Sequence, residues 1–381
     1  MSGSVLRVPG VPLLLAMTVL GFSGYAALLP VAPLWAVHGG ADSVGAGLVN
    51  GVLMLLTVLT QLVVPGALRR LGWAPVLVAG LLLLGLPTAA LGLSDSLAAV
   101  LGISALRGLG FGVLTVTGSA LVAELVEPAR RGRAIGAYGL AIAGPQVLFL
   151  SAGPWIVDRL GFGLMFALGV LPALGAVPAA LLARMLDHVP DPQERAPYVR
   201  LLRPMALLLA VTLAGGALIT FVAPMSSSAA LSTVALLLMT VMAALTRWRV
   251  GALADRLGPH RFIWPLVLVT VAGMALVSWA VRDPQATDAV ALLVGATLVG
   301  ASYGGLQNLT LVLAFAAVRR PHYGSASAVW NIGFDAGTGL GSVLVGALAA
   351  GTSFSTAMLL GGAVSLLTLP LALRRTPPAA T

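Results

Sequence analysis

The chain has 381 residues, of which 59% are hydrophobic and only 9% charged, and its mean hydropathy is +1.03. A soluble domain carries about 25% charged residues, so this composition excludes an ordinary water-exposed fold. All the basic residues behind the net charge of +9 are Arg, and the absence of Cys excludes disulfides and thiolate metal sites.

Twelve apolar runs follow one another at about 11–37, 44–67, 73–94, 97–123, 134–157, 162–185, 203–224, 228–250, 262–281, 288–316, 325–349 and 354–373. Each can cross about 30 Å of hydrocarbon as a helix. The pattern predicts an all-α polytopic membrane protein with twelve transmembrane helices. The first run is too long, and too lightly charged before it, for a cleaved signal peptide, so it reads as the first helix.

Loop charge alternates along these runs. Arg69 and Arg70, then Arg130, Arg131 and Arg133, Arg195 and Arg200, Arg256 and Arg261, Arg319 and Arg320 fall on one set of loops, and Arg374 and Arg375 on the tail. The other set holds Asp42, Asp95, Asp158, Arg159, Arg282, Asp283 and Asp288. Excess Arg marks the cytoplasmic side, so both termini are expected in the cytoplasm, the chain lying in a cell inner membrane or plasma membrane. Orientation accounts for the basic charge, and no nucleic-acid partner is expected. Abundant Ala and Gly without Lys point to a GC-rich, bacterial genome.

A polar, Pro-containing stretch at 186–202 divides the chain into an N-terminal six-helix bundle (1–185), a cytoplasmic linker with room for a short surface helix, and a C-terminal six-helix bundle (203–381). The halves echo each other. PGALRRLG (65–72) follows the second run and GALADRLG (251–258) the eighth, while GRAIGAYG opens the fifth helix at Gly132 and GSASAVWN the eleventh at Gly324. Repeated halves with Gly-rich, interrupted helices are the sequence sign of an alternating-access transporter.

Few polar groups lie deep in the runs. Arg107, in LRGLGFG (106–112), stands about ten residues into the fourth helix, roughly 15 Å deep. A charge there is expected to face a cavity or a partner; a structural Arg bonded to carbonyls is the plainer alternative. Helix five carries the pairs Gly144–Pro145 and Gly153–Pro154, which permit close packing and bend the axis. Asp335, in WNIGFDAGTGLG (330–341), is the only acid well inside any run. A carboxyl at that depth can take and release a proton as access changes sides; a permanent pair with Arg107, or a packing role, is the alternative. Asn331 shares its helical face. Tyr25, Gln146, Phe221, Asn308, Asn331 and Phe334 are candidates to line a substrate cavity, with Asn50, Gln61, Gln307 and Trp330 behind them. Adjacent Gln307 and Asn308 point about 100° apart, so one of the two is expected to face a cavity.

The stretch at 251–261, with Gly251, Asp255, Arg256, Gly258 and Arg261, resembles the loop signature of the major facilitator superfamily. The resemblance covers the whole chain and implies two six-helix bundles moving by alternating access. It implies a gating role for those five residues, with Asp255 accepting hydrogen bonds from a neighbouring helix end or an Arg; a static loop staple is the alternative. The first copy departs, since Arg69 stands where the family Asp is expected, leaving Glu124 or Glu127 as possible acceptors. Arg107 matches the family's helix-four Arg without its usual Gln, and implies proton coupling or organisation of the cavity. Gly144, Pro145, Gly153 and Pro154 resemble the helix-five signature of proton-exchanging exporters, although Phe149 and Leu150 replace its paired Gly.

The reading that follows is a proton-coupled multidrug-type antiporter, an efflux carrier of small amphipathic organic molecules, with Asp335 and Arg107 as the coupling pair. Protons, an organic substrate and membrane lipid are the expected partners of a functional monomer. Uptake of a sugar or organic acid is less expected because deep Asn, Gln and Trp are few. A non-transporting receptor or scaffold on the same fold needs no titratable pair. No nucleophile–base arrangement, metal cluster or nucleotide-binding loop is visible, so neither enzyme activity nor a cofactor is expected.

Overall fold

The computed structural model describes residues 5–127, 131–186, 198–283, 285–319 and 322–374, with the backbone alone at 5, 123, 131–133, 252 and 255. The described residues are helical, and twelve helices are long and apolar enough to span a membrane: α1 Val11–His38, α2 Ser43–Leu71, α3 Trp73–Leu93, α4 Leu97–Val122, α5 Ala134–Leu160, α6 Phe162–Ala183, α7 Tyr198–Met225, α8 Ala229–Gly251, α9 His260–Ala280, α10 Ala289–Ala316, α11 Tyr323–Gly351 and α12 Phe354–Leu373. Most of the linker (187–197) lies outside the described residues, as do Arg130, Arg195, Arg320 and Arg375.

Proline sets the internal breaks. A Pro ring has no N–H and crowds the carbonyl four residues back. Helix α1 is two pieces, Val11–Leu28 and Val31–His38, parted at Pro30. Pro87 opens a tighter 3-10 stretch, Leu86–Leu93, at the end of α3. Pro172 and Pro370 begin the second pieces of α6 and α12. Helix α5 changes pitch in its middle: an α-helix to Pro145, a wider π turn over Gln146–Leu150, then α-helix again over Ser151–Leu160. Pro154 cannot donate to the Leu150 carbonyl, and the π turn ends at that residue.

The chain divides into two compact units, Met1–Trp35 with Val52–Pro192, and Ala36–Gly51 with Gln193–Thr381. In the first, α1 packs on α6, and α3 on α4 and α6. In the second, α7 packs on α11, α8 on α10, and α9 on α10 and α12. Residues 36–51 join the second unit through contacts such as Ser43 Oγ donating to the Gly346 carbonyl at 3.0 Å.

Both units use one device to bring backbones together. Gly108 and Gly112 of α4 lie against the Leu53 and Thr57 carbonyls of α2, and Gly300 and Gly304 of α10 lie against the Met239 and Ala243 carbonyls of α8. A spacing of four residues stacks each pair on one face of its helix. A Cβ at any of the four would meet backbone, which cannot swing aside, so small residues set the helix separation.

The echo between PGALRRLG and GALADRLG is also conformational. Gly72 (φ 80°) and Gly258 (φ 84°) both adopt the left-handed region, and each returns its N–H to the carbonyl four residues back. The signature differs from a loop in one respect. The α8 helix continues to Leu257, so residues 251–257 are helical and the turn begins at Gly258.

Candidate functional site

The first unit holds Arg107 in the middle of α4. It is 1% exposed, the largest side chain so fully buried among the described residues. Its Nη2 donates to the Gly24 carbonyl at 3.5 Å, a long contact, and its Nε has no hydrogen-bond partner. Tyr25 lies within electrostatic reach of it. Tyr25 stacks on Phe111, with ring centroids 3.8 Å apart and planes 3° apart, and Phe22 meets both rings edge-on. Nearby, Gln61 Nε2 donates to Thr115 Oγ1 at 3.0 Å and Thr57 donates to the Gly108 carbonyl, tying α2 to α4. Burying a charge in a medium of low dielectric costs several kcal/mol unless it is compensated. Arg107 therefore carries an uncommon electrostatic load for its surroundings.

The second unit holds Asp335, 2% exposed in α11. Tyr303 of α10 lies within electrostatic reach of Asp335 and of Arg247 from α8, and Thr338, one turn beyond Asp335, donates its hydroxyl to the Phe334 carbonyl at 3.0 Å. Aromatic rings line the same region. Phe334 meets Tyr303 edge-on at 5.9 Å and stacks with Trp330 at 5.7 Å, while Trp330 Nε1 donates to Thr310 at 3.1 Å. Arg247 donates to Gln307 Oε1 at 3.2 Å, and Asn308 Nδ2 donates to the Arg247 carbonyl at 3.1 Å. Acid, phenol and guanidinium thus lie along three helices of one unit. Arg107 and Asp335, the two expected coupling residues, belong to different units.

The other candidates are distributed as follows. Gln307 and Asn308 both reach Arg247, one its guanidinium and one its carbonyl, and so tie α10 to α8. Asn331 Nδ2 turns back to the Ser327 carbonyl of its own helix at 3.0 Å. Phe221 is fully buried, wedged between Gly47 and Gly346 and against Phe354. Asn50 Nδ2 donates to Thr220 at 2.9 Å, and Thr220 shares a 2.8 Å hydrogen bond with Ser342. Gln146 sits on the π turn of α5, half-buried. Gly144 has open space where a side chain would stand, whereas Gly153 sits close to Pro30 and Val31 of α1.

In the signature segment, Gly251 lets the Asn308 amide approach, its notional Cβ being 3.0 Å from Nδ2. Arg256 and Arg261 are exposed, and the Asp255 side chain lies outside the described residues. Glu124 and Glu127 are exposed, and among the described residues neither forms an ion pair with Arg69 or Arg70. Arg247 and Tyr303 were not singled out from sequence. The visible signal for Arg247 is an Arg inside an apolar run, in TRWRV (246–250), with a Gln–Asn pair in the run that packs beside it.

The comparisons agree with this architecture. The model of the Major Facilitator Superfamily matches residues 14–285 and 250–381. Among solved structures, the fold is similar to a bacterial homolog of the human lysosomal transporter Spinster in its inward-facing, unoccupied conformation (TM-score 0.76, 14% identity, 98% of this chain and 97% of that one). It is also similar to a mutant of the nucleoside transporter NupG (TM-score 0.72, 14% identity, 96% and 99%). A third likeness is to the human organic anion transporter MFSD10 (TM-score 0.67, 17% identity, 97% and 100%). No curated protein sequence matches. The family match spans most of the chain, the twelve helices have the family's arrangement, and the chain belongs to the major facilitator superfamily, as an integral multi-pass membrane transporter.

Proposed function

We propose that the protein is a proton-coupled secondary active transporter that exports small organic molecules by alternating access. The observation that carries this reading is Asp335, a carboxyl buried at mid-helix in α11 beside Tyr303. A group so placed is costly to leave charged without support and gains a function if it is alternately protonated and released. Export rather than uptake rests on α5, whose Gly–Pro pairs flank a π turn. The solved structures of similar fold include a nucleoside transporter and an organic anion transporter, so no single cargo is carried over from them. We place the protein in a cell membrane with both termini cytoplasmic, working as a monomer, with Gly251, Asp255, Arg256, Gly258 and Arg261 gating.

The test uses purified protein in liposomes loaded with a pH-sensitive dye. A proton gradient is imposed, amphipathic compounds are added one by one, and Asp335→Asn is run alongside. Substrate-dependent proton movement that disappears in Asp335→Asn is expected. Undiminished movement in that variant removes Asp335 from coupling, and substrate flux with no proton movement defeats proton coupling altogether.

A further inference from the structure

The feature of the first unit that its packing leaves unexplained is the Arg107 guanidinium. It is 1% exposed and bears five N–H donors, yet its protein acceptor is one carbonyl at 3.5 Å, and its Nε has none. Among the described residues no carboxylate pairs with it. The surroundings of the side chain are fixed. Thr57 and Gly108 fix α4 against α2, and the Tyr25–Phe111 stack, held edge-on by Phe22, walls the side of helix α1 to which the guanidinium points. A planar fork of donors that is buried and given one weak acceptor matches a bidentate anionic oxygen group, a carboxylate or a phosphate monoester. The aromatic rings packed beside it make the surroundings of that group apolar.

We infer that Arg107 is a binding residue for the anionic group of the cargo, and that the substrates are aromatic or amphipathic organic anions. The inference rests on the transporter reading and gives it a substrate class. Arg107 is then required because its charge is compensated when cargo is bound, so cargo binding and relief of a buried charge are one event. Tyr25 is a positioning residue, setting the plane of the aromatic wall through its stack on Phe111.

The experiment is thermal unfolding of the purified full chain in neutral detergent, which needs no transport. The probes are naphthoate and naphthyl phosphate, with neutral naphthamide and cationic naphthylmethylammonium as matched controls. Phosphatidylglycerol serves as a separate arm for a lipid source of the same chemistry. The two naphthyl anions are expected to raise the unfolding temperature saturably and the controls not to. Arg107→Gln should abolish the response, and Arg107→Lys, which keeps the charge and loses the fork, should weaken apparent affinity by about tenfold or more. If Arg107→Gln does not fold, Arg107→Lys alone decides. Equal response to anion and amide, no response to either anion at millimolar concentration, an unchanged response in the variants, or an Arg107-dependent response confined to phosphatidylglycerol overturns the assignment. Anion binding without proton-linked flux would leave the site standing and defeat the carrier reading. Proton-linked flux of neutral solutes, indifferent to Arg107→Gln, would do the reverse.

Discussion

Replacing Gly304 with Ala is expected to destabilise the second unit and to reduce transport. The ideal Cβ would stand 2.6 Å from the Ala243 carbonyl carbon and 2.7 Å from its Cα. Those are backbone atoms of a neighbouring helix, so relief requires α8 and α10 to separate. Ala gains roughly 0.5–1 kcal/mol over Gly in a helix interior, while overpacking costs about 1–3 kcal/mol, and here the obstacle is rigid, which puts the cost at the upper end. The net loss is then about 1–2 kcal/mol, or about 2–8 °C in unfolding temperature for a unit of this size. Gly102 is the control: it lies in α4 with nothing within 4 Å of its notional Cβ, so Gly102→Ala keeps the propensity gain without the clash. The clash has a functional consequence as well. Ala243 precedes Arg247 by one helical turn, and Gly304 lies three residues before Gln307, so separating the helices stretches the 3.2 Å Arg247–Gln307 contact. Tryptophan fluorescence during heating in detergent, and dye-reported flux in liposomes, would measure both effects. If Gly304→Ala unfolds at the same temperature as Gly102→Ala, the claim that backbone contact sets the α8–α10 separation is wrong.

Gly258→Ala should lose about 1–2 kcal/mol because an L side chain is strained at φ 84°, and Gly72→Ala should lose about as much; heating curves of the two variants check whether the repeated turn is equivalent. Asn50→Ala removes the donor to Thr220 inside a buried chain that continues to Ser342, and should lower stability by about 1–3 kcal/mol. An unaltered denaturation midpoint would show that the chain contributes nothing net. Pro154→Ala returns an N–H to the Leu150 carbonyl and should turn the π turn of α5 into regular helix, stabilising by about 1 kcal/mol or more while lowering flux. A variant both more stable and fully active would show that the bend is not used.

The spans were legible because length and hydropathy alone define them, and the observed helices begin and end within a few residues of the apolar runs, apart from α7, which starts at Tyr198 rather than 203, and α8, which runs on to Leu257 rather than 250. The depth of Arg107 and Asp335 followed from counting residues along a helix. Their neighbours did not, because a helix fixes where a Cα lies but not which helix stands opposite it. Gln307 and Asn308 illustrate the difficulty: 100° of rotation separates their Cα–Cβ vectors, yet both side chains reach Arg247, because one seeks its guanidinium and the other its carbonyl. The helical character of 251–257 was obscured by the polar Asp–Arg pair, which reads as loop in a membrane chain. Gly258, the residue that ends the helix, carries the stronger local signal. The Gly108–Gly112 and Gly300–Gly304 pairs were present as spacing in the sequence, but their meaning depends on the carbonyls they meet.

The two units share a skeleton and differ in charge. In each, a Gly pair spaced by four seats one helix on the carbonyls of another, and a left-handed Gly ends the signature segment. Upon that common frame the first unit buries a cation with little protein compensation, and the second buries an acid among a phenol, a threonine and an Arg. If the frame alone served stability, apolar residues in place of Arg107 and Asp335 would pack at lower electrostatic cost. On the proposed reading the departures from the repeat are therefore where function resides, cargo charge meeting Arg107 and the proton meeting Asp335. The two roles are separable by experiment. Arg107→Gln should abolish the thermal response to naphthoate and leave Asp335 titratable, whereas Asp335→Asn should abolish proton movement and leave naphthoate binding in place. Loss of both activities in either single variant would mean that the two residues act as one pair, and would refute the division of labour.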